Sequence, residues 1–419
     1  MKVLWFSNRI LNDLSSIKSG SWLFAMREII EKDVHIVNIT DDISVKKVQY
    51  SRVGSVEEYV LPRYPLHNGL PASSHVSEIL DIVKKVSPDI IHIWGTEQYW
   101  GLLLSRGYLS NWKVIVEIQG LMDSCANVFY GGLNVDELKR CKALKEILRP
   151  SECLDRKHRA FLHTAQYERE IISTSQFIST QSNWVRNQIG MFTKNDATIY
   201  KTLLPIRRGF VESKKWNSTT GVNKRLLIFT STAYSTPFKG LHILIKALST
   251  LKNKYPDCLL RIAGINLYDK PFWRLSGYER MLLHLIDKYD VRKNIEFLGK
   301  INEQQIIDQL YQTCVYVNPS LVESYSAAAA EALLLGVPSV LAYSGAMPDF
   351  SEELAVCLYY SPMDYIACAM QIDTLYREGE IRSQLTCNAI KIMTKKCDFE
   401  NIRQTQLSIY DNIIKSHHH

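Results

Sequence analysis

Short apolar runs alternate with longer amphipathic stretches through most of this chain. KVLWF (2–6) comes first, a helical pattern starts near residue 22, and DVHIVNI (33–39), a helical stretch at 76–86, DIIHIW (89–94) and KVIVEI (113–118) follow. Such short runs, rich in Val and Ile and separated by segments of helical period, predict strands buried on both faces, in the rhythm of a doubly wound α/β domain. Residues 205–224 (PIRRGFVESKKWNSTTGVNK) break that rhythm with a polar run and read as a linker. A second series then begins with RLLIFTS (225–231), LLRIAG (259–264), IEFLG (295–299), CVYVNP (314–319) and SVLAY (339–343), again with helical stretches between. A helical pattern over 400–414 closes the chain, and no internal repeat is present.

The pattern predicts two domains, and 419 residues exceed what one hydrophobic core organises. With 46% apolar and 22% charged residues, the composition is that of an ordinary globular protein. No apolar run reaches the roughly 18 residues of a membrane span, and the opening MKVLWFSNRI reads as a strand rather than a signal peptide, so a cytoplasmic location is expected. Nine cysteines without a C-x-x-C pair or nearby histidines predict buried free thiols, Cys314 among them, rather than zinc or disulfides. The final His417 to His419 read as a tag remnant.

The formal charge of +7 is modest, and no nucleic-acid motif accompanies it. The densest basic region, 139–159, carries eight Lys or Arg against three acids. It leaves two readings open, a solvated helical face and a peripheral contact with an anionic membrane surface.

Candidate chemistry concentrates in 319–348 (PSLVESYSAAAAEALLLGVPSVLAYSGAMP). A strand ends near Pro319, residues 325–335 are low-cost helix formers, Gly336 stops the helix and 339–342 resumes as a strand. A strand-loop-helix-strand unit of this kind puts the loop, with Glu323, at the carboxyl edge of a parallel sheet, where ligands bind. Glu331 then lies inside the helix. The helix's first amides, placed around Ser324 to Ser326, favour a phosphate.

This segment resembles the signature of retaining glycosyltransferases of the GT-B fold, family 4 (glycosyl transferases group 1), on Pro319, Ser320, Glu323, Glu331, Gly336 and Pro338. The resemblance implies an α/β protein with two Rossmann-like doubly wound domains facing a central cleft. Residues 1–204 would form an acceptor domain, 205–224 the linker, 225–398 the nucleotide-sugar donor domain, and 399–416 a helix crossing back to the first domain. It implies an enzyme that moves a sugar from a nucleotide-diphosphate sugar to a hydroxyl acceptor with retention, in polysaccharide or glycan biosynthesis. Glu331 would hold the donor ribose, and Glu323 would lie by the transferred sugar. The family's glycine, aromatic, glycine after the first glutamate is here Ser324, Tyr325 and Ser326.

FTSTAYSTPFKGLHILIKAL (229–248) resembles the segment that supplies a lysine to the donor diphosphate, a role that falls to Lys239. A departing nucleoside diphosphate gains negative charge, so a fixed cation there acts most strongly in the transition state. The family's arginine a few residues earlier is missing, since Ala233 and Tyr234 stand there. The donor base would lie near Gly264, Leu298 and Gly299. In the first domain, Gly20 and Ser21 occupy the place of a family glycine pair, and Gln119 stands where members often carry a histidine beside the sugar. A neutral amide can hydrogen-bond a sugar hydroxyl but cannot act as a base. Glu168 and Arg169 fall in a stretch that resembles the close of the first domain, or form a surface pair.

No Gly-x-Gly-x-x-Gly follows a strand, and no Walker-type loop or Asp-x-Asp is present, so neither a dinucleotide cofactor nor a metal-bridged diphosphate is expected. The predicted partners are a nucleotide sugar and a carbohydrate or lipid-linked acceptor, with no cofactor, metal or nucleic acid. Two alternatives remain at this stage, a nucleotide-sugar binding subunit with a degraded site and a sugar-nucleotide epimerase on the same fold.

Overall fold

In the computed structural model, which describes residues 1–12, 22–142, 153–217, 225–231 and 236–416, Val3 and Trp5 belong to one apolar core and Leu4 and Phe6 to another. All four are fully buried. The two-residue period of the strand therefore divides its side chains between two layers of helices. Trp5 and Val3 pack with helices Trp22–Ile30 and Phe399–Lys415, while Leu4 and Phe6 pack with Ser73–Val86 and Trp100–Ser105.

These elements belong to the first of two compact units, made of Met1–Met122, His163–Arg207 and Cys397–His419. Its strands are β1 (Lys2–Phe6), β2 (His35–Asp42), β3 (Gln49–Val53), β4 (Val56–Pro62), β5 (Ile90–Trp94), β6 (Val114–Ile118), β7 (Phe177–Thr180) and β8 (Thr198–Lys201). They form one sheet in the order β3-β4-β2-β1-β5-β6-β7-β8. Every neighbouring pair is parallel except β3 with β4. Helix Phe399–Lys415 is fixed to this sheet by Tyr410, whose hydroxyl accepts from Trp5 Nε1 at 3.2 Å and lies 2.8 Å from His92 Nδ1.

The second unit joins Asp123–Leu162 to Arg208–Lys396. Its strands β9 (Leu227–Ser231), β10 (Leu259–Ala263), β11 (Ile295–Gly299), β12 (Val315–Asn318), β13 (Ser339–Ala342) and β14 (Leu358–Tyr360) form an all-parallel sheet ordered β11-β10-β9-β12-β13-β14. The order reverses between β9 and β12, so the crevice of this doubly wound sheet opens beyond the carboxyl ends of those two strands. Within the stretch read as a linker, Arg208–Glu212 is helical and Trp216 is buried, its backbone N–H donating to Leu335 at 2.7 Å and its Nε1 to Thr313 at 3.0 Å.

The nine cysteines are free thiols, six of them buried, including Cys314. Among the described residues no helix is long and apolar enough to cross a membrane.

Candidate functional site

The loops that follow β9 and β12 meet at the reversal of the second sheet. After β9, residues 232–235 lie outside the described residues, and the chain resumes in a short turn, Pro237–Lys239, with Pro237 in its first position. Gly240 then adopts φ +76°, and a Cβ there would stand 2.0 Å from the carbonyl oxygen of Pro319. Only glycine allows both the left-handed backbone and this close approach. The two loops are laced further by the Leu321 N–H, which donates to Phe238 O at 2.8 Å. Glu323 follows, and its Oε1 accepts from Lys239 Nζ at 2.7 Å. Eighty-four residues apart in sequence, these two candidates form one ion pair.

Glu323 is held from its other side by the loop after β13. The Ala346 N–H donates to Glu323 O at 2.8 Å, and Ser344 Oγ donates to Ser320 O at 2.6 Å. Both members of the ion pair keep some access to solvent, with side-chain exposures of 21% for Lys239 and 13% for Glu323. An incoming anion can therefore reach the ammonium, while the carboxylate keeps it in place.

The helix begins two residues later than its sequence suggests and spans Ala327–Leu335. Ser326 is its N-cap, with Oγ accepting from Ala329 N–H at 3.3 Å and from Asn318 Nδ2 at 2.8 Å. The first intrahelical bond runs from Ala330 N–H to Ser326 O. The amides that head this helix are therefore those of Ala327 and Ala328 rather than of Ser324 to Ser326. The capping hydroxyl explains the shift, since serine satisfies the first turn from outside it. Ser324 and Ser326 are buried and Tyr325 is half-buried against Phe350. Gly336, at φ +83°, ends the helix as the sequence requires. Glu331 is 6% exposed within a helix whose remaining face is apolar.

At the neighbouring strands, Gly264 donates to Gly299 O at 2.7 Å, and both adopt positive φ, +100° and +65°. With half-buried Leu298 they leave a surface of backbone at the same carboxyl edge.

The Asp123–Leu162 segment packs on the lysine turn within this unit. Phe129 and Phe161 stand 6.1 and 5.9 Å from the Phe238 ring, and Gly131 lies against Pro237. His242 Nε2 lies 2.9 Å from Gly131 O, a geometry in which Nε2–H donates and Nδ1, 3.0 Å from Tyr278, accepts the phenol proton. Burial pushes the His242 imidazole down to about 4. Lys246 pairs with Glu137 at 2.6 Å from the capped helix Val135–Arg140. Sequence reasoning assigned none of these residues a role. Of the basic region 139–159, residues 143–152 lie outside the described residues.

In the first unit, Gly20 and Ser21 also lie outside the described residues. Gln119 follows β6, and its Nε2 is buried with no hydrogen-bond partner among the described residues. It shares the space above Gly95 with the Glu97 carboxylate. Glu168 is not a surface residue. It is 1% exposed and accepts from Thr96 Oγ1 at 2.6 Å and from Met122 N–H at 2.9 Å, tying the long helix Leu154–Thr174 to the loops after β5 and β6. No group of three or more His, Cys, Asp or Glu among the described residues is arranged to hold a metal.

Comparison with known proteins matches residues 212–392 to the family described as Glycosyl transferases group 1. The Bacillus subtilis protein "Uncharacterized glycosyltransferase YqgM" is 31% identical over 141 residues, an alignment that spans 34% of this chain and only 36% of that relative. Among solved structures, sucrose-phosphate synthase of Thermosynechococcus elongatus superposes with a TM-score of 0.70 at 14% identity, covering 98% of each chain. Anabaena HepE in complex with UDP and glucose gives 0.61 at 15% identity, covering 97% of this chain and 98% of that one. The fold is GT-B, with two parallel-sheet Rossmann-like domains.

Proposed function

We propose that this protein is a retaining glycosyltransferase of family 4 that transfers a sugar from a nucleotide-diphosphate donor to a hydroxyl acceptor, in polysaccharide or glycan assembly. The observation that carries this reading is the Lys239–Glu323 ion pair at the topological switch point of the second sheet, inside the span that matches the group 1 glycosyl transferases. A lone lysine before a helix is an ordinary surface feature. A lysine held by a glutamate beside a capped helix that buries a second glutamate is a site for a charged, hydroxyl-bearing ligand.

In this reading the donor diphosphate lies on Lys239 and the first-turn amides of the helix, its ribose on Glu331, and its base against Gly264, Leu298 and Gly299. Glu323 sits by the transferred sugar, and Gln119 faces the acceptor side. As the glycosidic bond lengthens, the pair of electrons moves to the diphosphate. The ammonium of Lys239 meets the charge that develops there, so it stabilises the transition state more than the bound ground state. Same-face displacement, with the leaving phosphate assisting the acceptor hydroxyl, accounts for retention without an enzymic nucleophile. Lysine and helix amides supply the positive charge, so the reaction is expected to proceed without a metal. HepE, crystallised with UDP and glucose on this fold, supports a nucleotide sugar as donor.

The test is thermal stabilisation of the wild type and of Glu331→Ala by UDP, GDP, ADP and CMP at millimolar concentration, because a ligand that binds only the folded state raises its stability with occupancy. A shift with one nucleotide that disappears in the variant identifies the base and the ribose contact. Absence of any shift overturns the donor assignment.

A further inference from the structure

The second unit displays two large aromatic side chains to solvent. Phe272 and Trp273 are 65% and 73% exposed, in the turn Phe272–Arg274 between β10 and the helix Gly277–Lys288. The turn is built rather than loose. Leu275 is buried beneath it, the Arg274 N–H donates to Pro271 O at 2.8 Å, and Ser276 and Glu279 form a reciprocal cap on the helix that follows. Lys270 closes the turn from its other side, donating to the two oxygens of the Glu279 carboxylate at 2.7 and 2.8 Å. Arg280 donates to Phe272 O at 3.3 Å, and its guanidinium lies 4.2 Å from the centre of the Phe272 ring, so one face of that ring carries a cation. A turn fixed in this way holds adjacent aromatic side chains in water and forgoes their burial, which a partner surface recovers.

The surroundings of the turn are basic. Gly277 packs on the Asp123–Leu162 segment so closely that a Cβ there would stand 1.5 Å from Cys141 O. That contact brings the end of helix Val135–Arg140 beside the aromatic turn. Lys139, Arg140 and Lys142 are exposed there, as is Arg274 within the turn. Of the acids in the two stretches, Glu137 and Glu279 are buried against Lys246 and Lys270, and Asp136 lies 3.5 Å from Lys139. Asp269 is exposed and accepts from Asn266 Nδ2 at 2.6 Å. The basic stretch alone fitted a solvated helical face as well as a membrane contact. Tryptophan and phenylalanine beside it favour the second, because aromatic rings settle at headgroup depth in a bilayer while Lys and Arg meet the lipid phosphates.

We propose that this face of the second unit rests on an anionic lipid surface, with Phe272 and Trp273 at headgroup depth and Lys139, Arg140, Lys142 and Arg274 on the phosphates. The proposal goes beyond the transferase reading and does not depend on it, because none of these residues is placed at the donor.

The experiment is co-sedimentation of the full chain with vesicles of phosphatidylcholine alone and of phosphatidylcholine with about one third phosphatidylglycerol, at low and high salt. Wild type is compared with Phe272→Ser/Trp273→Ser and with Arg140→Ala/Lys142→Ala. Lys46→Ala/Lys47→Ala removes the same charge from an exposed pair in the first unit and serves as the control. The expected result is binding to the anionic vesicles alone, weakened by salt. The aromatic substitutions should lower its affinity about tenfold. Loss of Arg140 and Lys142 should lower it roughly 30-fold, as for two cations near an anionic surface, and the control should bind as wild type does. All of these side chains are exposed, so each variant should unfold at the wild-type temperature, and a fall in binding is then not a loss of fold. No binding to the anionic vesicles, equal binding to both kinds, unchanged binding in both variants of this face, or an equal loss in the control overturns the proposal. Self-association in sedimentation velocity that the aromatic substitutions abolish would place a second copy of the chain on this face and overturns it as well.

Discussion

The two parallel sheets carry opposite chemistry at their carboxyl edges. In the second unit the edge offers a fixed ammonium, a helix start and two glycines with exposed backbone, all suited to an anion with a flat base. In the first unit the described residues around the cavity at this edge include the Asp41–Arg63 pair, Glu97, His163 and the side chains of Tyr64, Tyr99 and Tyr167. A nucleoside diphosphate makes the same demands wherever it binds, a cation and amides for its phosphates and a carboxylate for its ribose, so its site leaves a recognisable pattern of residues at fixed spacing. A saccharide is bound by hydroxyl acceptors and ring faces that many arrangements supply. Its site leaves no such pattern.

Substitutions at the second edge should break the comparison most sharply. Lys239→Ala is expected to lower turnover by about 10² to 10³, the usual effect of losing a group that meets charge in the transition state, with donor binding reduced less. Wild-type rates in steady-state assays would make this lysine a surface partner of Glu323 and nothing more. Glu331→Ala should weaken nucleotide affinity roughly 10- to 100-fold, as for a lost hydrogen bond to a charged group, and leave the protein folded. A large fall in unfolding temperature in the same variant would mean that Glu331 supports the fold rather than the ligand. Gly240→Ala places a Cβ 2.0 Å from the Pro319 carbonyl at φ +76° and should cost about 1–3 kcal/mol. Lower stability in thermal unfolding, together with slower turnover, is expected because the displaced turn carries Lys239.

The smallest effect separates the units by pH. Glu117, buried in the first unit and accepting from Thr202 Oγ1 at 2.9 Å, is pushed up to about 7 by desolvation. Its folded form keeps the proton while an unfolded carboxyl loses it near 4.5, so this group removes stability as pH rises from about 4.5 to 7. His242, pushed down to about 4 in the second unit, acts in the other direction. An unfolded imidazole takes up a proton below about 6.5 and the folded one does not, so stability is lost as pH falls from 6.5 towards 4. Each slope is at most about 1.4 kcal/mol per pH unit. Thermal unfolding between pH 4.5 and 7 should show Glu117→Gln flattening the first trend and His242→Gln the second. Curves parallel to the wild type would show that neither group titrates as its burial implies.

Much of the second unit was legible in the chain itself. The frame from Pro319 to Pro338, the stop at Gly336 and the alternation of apolar runs with helical periods are local signals for the strand-loop-helix-strand unit and the doubly wound domains, while the GT-B fold was implied by the family resemblance of that frame. The helix start was misread by two residues because Ser326 reads as a first-turn amide until Asn318 and Ala329 are seen to occupy its hydroxyl. Glu168 carried no local mark of burial, since a polar helix beside a basic stretch reads as surface. Its partners, Thr96 and the Met122 amide, come from the segments that follow β5 and β6.

What the sequence determined by itself is therefore what depends on neighbours in the chain: periodicity, turn residues, caps and the spacing of two glutamates on one loop and helix. What only the tertiary structure decided is what depends on distance in space. Lys239 finds Glu323 across 84 residues, and the 123–162 segment packs its phenylalanines on the lysine turn of the second unit. Asp41 and Tyr99 come to one cavity from strands on either side of β1. Charge, burial and an unpartnered hydroxyl are properties of that assembled environment, and the same residues in an extended chain would all be hydrated alike.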